Sequence, residues 1–125
     1  MTGQIEFAKN ISFGLLICDE AHRLKNQDTK VYKQLYGLRS RMRIMISGTP
    51  VQNDLLEFYA LLEFCMPGCF GTKKDFARKI GTPVAKMRQL DATTKEVEDG
   101  TKASNLFTNL TKTVLLRRTN EVNAR

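Results

Sequence analysis

Nowhere in the 125 residues does an apolar run approach the ~20 positions that a membrane-spanning helix needs. The N-terminus also lacks the basic-then-apolar order of a secretory signal. A soluble, intracellular chain with no membrane partner is the expectation. Cysteine is scarce: Cys18, Cys65 and Cys69 make an odd count, which speaks against a disulfide framework. A structural zinc site is poorly served as well, because Cys65 and Cys69 form a C-x3-C pair whose two further ligands are missing. His22, the one histidine, lies far away in sequence. Reduced, buried thiols are expected. Internal repeats and low-complexity tracts are absent too.

What is present is ordinary globular material, 42% hydrophobic and 26% charged, enough for one domain with one core. Twenty Lys and Arg against thirteen Asp and Glu leave a net charge of +7. That balance favours a polyanionic partner such as nucleic acid, against the plain alternative of a basic, soluble surface.

Hydrophobic patterning organises the chain. Residues 3–11 read as a short helix or an extended lead-in. The continuous run Phe13–Cys18, cut off by Asp19-Glu20, suits a central parallel strand buried on both faces. Val31, Leu35 and Leu38 then recur at helical spacing over 29–38. A second run, Met42 to Ile46, ends in Ser47-Gly48-Thr49-Pro50. Strand, helix, strand with a right-handed crossover makes a βαβ unit, and such sheets bind ligands beyond the carboxyl ends of their strands. Asp19-Glu20 and Ser47-Gly48-Thr49 both fall at such ends. Asn53 or Asp54 caps a helix to about Met66, stopped by Pro67-Gly68. A short helix over 73–80 is followed by a polar stretch from 91 to 104 that reads as a mobile insertion. A last helix carries Leu106, Leu110 and Val114, with Phe107 and Leu115, up to Arg117-Arg118.

Adjacent carboxylates after a buried strand are what nucleotide hydrolysis needs: one to hold Mg²⁺ through its waters, one to orient or deprotonate the attacking water. A bare pair is more often two solvated acids at a strand end, so the surroundings decide. The run Leu16 to Asn26 (LICDEAHRLKN), with Ile46 to Leu55 (ISGTPVQNDL), resembles motifs II and III of SWI/SNF-type ATPases in helicase superfamily 2. Leu61-Leu62-Glu63-Phe64, Pro67-Gly68-Cys69-Phe70-Gly71-Thr72 with Phe76, and Leu115-Leu116-Arg117-Arg118-Thr119 resemble later landmarks of that family's first motor lobe. The recombination-associated double-stranded DNA translocases are the most similar branch.

The resemblance implies an α/β fold, a partial RecA-like parallel sheet with flanking helices. It implies ATP and Mg²⁺ as cofactors of the complete motor, with Asp19 holding the metal through water and Glu20 activating the attacking water. His22 would couple the nucleotide to Ser47, Gly48, Thr49 and Gln52. DNA-binding or bracing roles fall to Arg39, Arg41, Arg43, Lys73, Lys74, Arg117 and Arg118, each of which is otherwise a solvated charge. Double-stranded DNA or chromatin, recombinase or remodelling proteins as partners, and nuclear localisation in a eukaryote follow from the same resemblance.

One departure matters. None of the eight glycines is followed by Lys-Ser or Lys-Thr, so the phosphate-cradling Walker A loop is not in this sequence. Residues 1–125 are therefore expected to be the C-terminal half of the first lobe, with motifs II and III, a helical insertion over about 67–119, and neither the Walker A part nor the second lobe. The rival expectations are a non-catalytic basic module that binds DNA or protein, and a DEAH-type RNA helicase, the latter weakened by S-G-T-P-x-Q-N and L-L-R-R-T.

Overall fold

A computed structural model describes residues 6–48 and 54–118. The chain divides into two compact units, Met1–Phe76 and Ala77–Arg125, where composition alone suggests one core.

In the first unit, β1 (Ser12–Cys18) runs parallel to β2 (Arg39–Met45), with Leu16 opposite Arg43 and Cys18 opposite Met45. The crossover contains a 3-10 turn, Ala21–Leu24, and helix α1 (Lys30–Tyr36), whose cap Thr29 accepts from the Tyr32 N–H. Helix α2 (Leu55–Cys65) starts at Asp54, whose carboxylate accepts from the N–H groups of Leu56 and Glu57; those donors would otherwise have no intrahelical partner. Helix α3 (Lys73–Phe76) follows a turn in which Gly68 and Gly71 take positive φ. Of the expected apolar positions, Leu35 packs against the core and Leu38 is buried, but Val31 is exposed and Tyr32 is buried in its stead. Aromatic area explains the change, because a tyrosine buries more surface than a valine if its hydroxyl finds a partner. Tyr32 Oη donates to the Ala60 carbonyl at 3.0 Å.

Leu24, Tyr32, Ala60 and Phe64 form the core, with Leu16, Cys18, Leu35, Tyr36 and Met45 packed against it. All of this lies on one face of the sheet. The other face carries Leu15, Ile17, Met42 and Ile44, with Ile17 at 56% and Met42 at 62% exposure. Burial on both faces is thus not met among the described residues: two strands with helices on one side leave the alternate residues uncovered.

The second unit is helical. A π-helical turn (Ala77–Gly81) leads into α4 (Thr82–Met87), and after a short connection α5 runs Thr94–Thr111. The polar 91–104 stretch is therefore no loose insertion. Thr93 and Glu96 form a reciprocal capping box, the Thr93 hydroxyl accepting from the Glu96 N–H and the Glu96 carboxylate from the Thr93 N–H, which starts a helix despite low hydrophobicity. The expected apolar stripe is also turned outward. Leu106, Leu110 and Val114 are exposed, and α5 ends at Thr111, before Val114. The buried positions are Gly100, Ala103 and Thr111. At Gly100 a Cβ would run into the Met87 side chain and lie 2.8 Å from the Pro83 carbonyl, so close approach of α4 and α5 selects small residues over large ones.

Candidate functional site at the carboxyl rim of the parallel strands

Parallel pairing brings the two polar clusters together. β1 ends at Cys18 and β2 at Met45, directly opposite each other. The ladder then continues: Ile46 N–H donates to the Cys18 carbonyl at 2.8 Å, and Ala21 N–H donates to the Ile46 carbonyl at 2.9 Å. The Asp19–Ala21 turn is thereby sewn to the start of the Ser47-Gly48 segment through the backbone. Thr49 and Gln52 lie outside the described residues.

Glu20 has φ 52° and ψ 45°, the one non-glycine residue with positive φ among the described residues. Left-handed backbone at a residue with a Cβ costs of order 1 kcal/mol and persists where the surroundings impose it. Here the carboxylate of Asp19 accepts the Glu20 N–H at 2.7 Å, and Ala21, next in line, is buried and bonded to Ile46. The turn interrupts the strand alternation that would send neighbouring side chains to opposite faces. Both carboxylates remain exposed at the rim. His22 Nδ1 lies 3.3 Å from Glu20 Oε2. Two carboxylates on a preformed turn fit a hard cation that keeps most of its waters and shares its coordination with phosphate oxygens; among the described residues no cluster of three or more His, Cys, Asp or Glu could hold a metal unaided.

The basic candidates on β2 do not gather at this rim. Arg39 and Arg41 are exposed toward the opposite, amino end of β2. Lys73 and Lys74 are exposed on α3, and Arg117 and Arg118 are exposed beyond the end of α5. Arg43 turns inward. Its guanidinium donates to the carbonyls of Tyr36 and Leu38 at 2.8 Å and of Phe64 at 3.0 Å, and its Nε to Ser40 Oγ at 3.0 Å. It also lies 4.7 Å from the centre of the Phe64 ring and 5.3 Å from that of Tyr36. All three cysteines are free thiols; burial pushes Cys18 and Cys65 up, whereas Cys69 is exposed instead of buried. Sequence reading missed the ion pair between Lys25 Nζ and Glu57 Oε1 at 3.2 Å, whose partners sit in different elements at no fixed spacing.

The SNF2-related domain family matches residues 3–124. The chain belongs to that family. Among SNF2-related relatives, the chain is 46% identical over 112 residues to the DNA repair and recombination protein RAD54B of Gallus gallus, covering 90% of this chain and 12% of that one. It is 36% identical over 121 residues to the DNA repair and recombination protein RAD54 of Saccharomyces cerevisiae, covering 97% and 14%. The solved Sulfolobus solfataricus SWI2/SNF2 ATPase core in complex with double-stranded DNA superposes with a TM-score of 0.69 at 27% identity, over 90% of this chain and 22% of that one. The chain thus spans about a seventh of the length of its curated relatives, and its α/β unit is the RecA-like arrangement of an SNF2 motor. No helix among the described residues is long and apolar enough to cross a membrane.

Proposed function

We propose that this chain is the C-terminal half of the first lobe of an ATP-driven double-stranded DNA translocase that acts in recombinational repair or chromatin remodelling, in the nucleus of a eukaryote. The observation that carries the reading is the juxtaposition at one rim of Asp19-Glu20 and Ser47-Gly48, bridged by the Ala21–Ile46 hydrogen bond. The bare sheet face of Leu15, Ile17, Met42 and Ile44 supports it, since the rest of a parallel sheet's helices would cover that face.

Asp19 would hold Mg²⁺ through water beside the phosphates of ATP. When bound, the ion neutralises negative charge on the phosphates. Glu20 accepts the proton of the attacking water, and the strained turn holds its carboxylate ready for that position. His22, near Glu20, links the base to the Ser47–Gln52 segment, through which nucleotide state reaches the DNA-gripping surface. Exposed Arg39, Arg41, Lys73 and Lys74, with Arg117 and Arg118, supply phosphate contacts or bracing, whereas Arg43 braces the unit from inside. Recombinase or remodelling proteins complete the list of partners.

The test places this segment in an intact motor that contributes the phosphate loop and the second lobe. Glu20→Gln keeps size and hydrogen-bonding reach but cannot take the proton. Nucleotide affinity should hold while DNA-stimulated hydrolysis falls by about 10²–10⁴-fold, the usual cost of losing a general base. Near-normal turnover would remove Glu20 from the chemistry. A wild-type graft that binds DNA without hydrolysing ATP would favour the rival, a non-catalytic basic module that binds DNA or protein.

A further inference from the structure

Parallel strands oblige their crossover to bring the chain back to the end where β1 begins. Three pieces of sequence therefore meet at the amino ends of β1 and β2, opposite the carboxylate rim. The lead-in to β1 supplies Phe7, Lys9 and Ile11, the last turn of α1 supplies Lys33, and β2 opens with Arg39, paired with Ser12, and continues to Arg41. The corner is close: Lys9 Cε lies 4.0 Å from where a Cβ on Gly37 would stand, and the Gly37 N–H donates to the Lys33 carbonyl. Lys33, Arg39 and Arg41 are exposed and Lys9 is half-buried, and none of the four has an ion pair among the described residues. Glu63, which reaches α1 through the Tyr36 hydroxyl, is already engaged by the Gly68 N–H, and Glu6 is exposed on the lead-in. Positive charge in excess at one surface draws an anionic partner. Beside it stand two apolar side chains, Phe7 at 71% exposure and Ile11 at 40%.

We propose that this amino-end corner docks an acidic segment of a partner protein, its carboxylates on Lys9, Lys33, Arg39 and Arg41 and an apolar side chain against Phe7 and Ile11. The apolar pair selects a peptide over nucleic acid. Duplex DNA presents phosphates outward and keeps its bases paired, so it gives Phe7 and Ile11 nothing to bury against. A single strand uses a row of aromatic rings on which successive bases stack, and Ile11 offers no such face. A peptide carries acids and apolar side chains on one short stretch, and aromatic residues with arginine are what protein interfaces are enriched in. A guanidinium also takes a carboxylate through two parallel hydrogen bonds. The inference goes beyond the motor reading and stands without it, since no part of it uses the nucleotide site; for Arg39 and Arg41 it chooses a protein over duplex phosphates.

The probe is a short fluorescein-labelled peptide of Asp and Glu interspersed with Phe and Leu, titrated with the full chain and read by anisotropy. It should bind saturably and more weakly as salt rises. Arg39→Glu with Arg41→Glu should weaken binding by about ten-fold or more, and Phe7→Ala by about five-fold. Lys33→Glu, alone on α1, gives a second reading should the β2 pair disturb folding, and it too should weaken binding. Lys95→Glu with Lys102→Glu makes the same change of charge on α5 and should leave binding intact. Equal loss in that α5 variant overturns the proposal, because net charge alone would then hold the peptide. So does undiminished binding of a peptide whose Phe and Leu are replaced by Ala. Duplex DNA that displaces the peptide and loses affinity in the same variants assigns the corner to DNA instead. Loss of peptide binding when the segment sits in an intact motor also overturns it, since the rest of the motor would then cover the corner.

Discussion

In Met1–Phe76, Tyr32, Tyr36 and Phe64 form a ring cluster with centroids 5.6–6.3 Å apart, and the Arg43 guanidinium stacks on two of them while donating to three carbonyls. In Ala77–Arg125 the buried set is small: Ile80, Gly81, Val84, Gly100, Ala103 and Thr111. The buried Thr111 satisfies itself, its hydroxyl donating to the Phe107 carbonyl at 2.8 Å. The first unit is held by large side chains and bonds between residues distant in sequence, the second by close helix approach and local caps. Rigidity therefore lies where the carboxylate rim is. A site that must hold a strained Glu20 needs an over-determined surround, and the second unit, with no such residue among those described, manages with less.

The largest expected effect breaks that rigidity. Arg43→Met should destabilise the first unit by about 2–4 kcal/mol, because the Tyr36, Leu38 and Phe64 carbonyls lose a charged donor. Arg43→Lys should recover less than half, since an ammonium cannot reproduce the planar fork or stack as well. Hydrogen exchange of the intact motor would show it as faster exchange in β1, β2 and α2, with α5 unchanged. Equal loosening of α5, or no loosening anywhere, would remove Arg43 from its place in the comparison.

Sequence patterning made the first unit legible because its signals are of the kind that patterning carries. The apolar runs 13–18 and 42–46 and the Asp54 cap each rest on adjacent residues; β1 and α2 stand close to their expected bounds, while β2 begins three residues earlier, at Arg39. The parallel order, and with it the meeting of Asp19-Glu20 with Ser47-Gly48, followed from the βαβ order alone. Less accessible were features set by tertiary contact. The inward turn of Arg43 depends on two rings and three carbonyls that no spacing announces, and the left-handed Glu20 on a hydrogen bond across the sheet. In the second unit the apolar stripe Leu106-Leu110-Val114 was misleading: Gly100 admits α4 so closely that the small-residue face became the inner one, and the leucines remain exposed.

Gly100 gives the intermediate test. In an exposed helix Gly→Ala stabilises by up to about 1 kcal/mol. Here the added methyl meets Met87 and the Pro83 carbonyl. The methionine sulfur can move aside, but the nearest atom is Met87 Cβ, which is fixed to its main chain, and the carbonyl is main chain itself, so overpacking outweighs propensity and Gly100→Ala should cost about 1–3 kcal/mol. Exchange in α4 and α5 should rise while β1 and β2 hold. Stabilisation of α5 would mean that the two helices separate cheaply, and that close approach is not what holds the second unit.

The smallest effect concerns how α5 begins. Thr93→Ala removes the acceptor for the Glu96 N–H and should cost about 1 kcal/mol, confined to the first turn of α5. The other half of the box is pH-dependent. Hydrogen bonding from Thr93, reinforced by the charge of Lys86, holds the Glu96 carboxyl below its usual range. A carboxyl with a lower pKa folded than unfolded stabilises the helix fully above the ordinary glutamate value, about 4.3, and that contribution is lost as pH falls through the lower folded value. Protection of the first-turn amides, corrected for intrinsic exchange, should therefore decline on acidification through that window. Glu96→Gln keeps an oxygen that can accept from the Thr93 N–H but has no proton to gain, so its protection should be flat over the same window. If the glutamine variant declines in parallel, the acid sensitivity of α5 comes from elsewhere, and the capping box supplies geometry without charge.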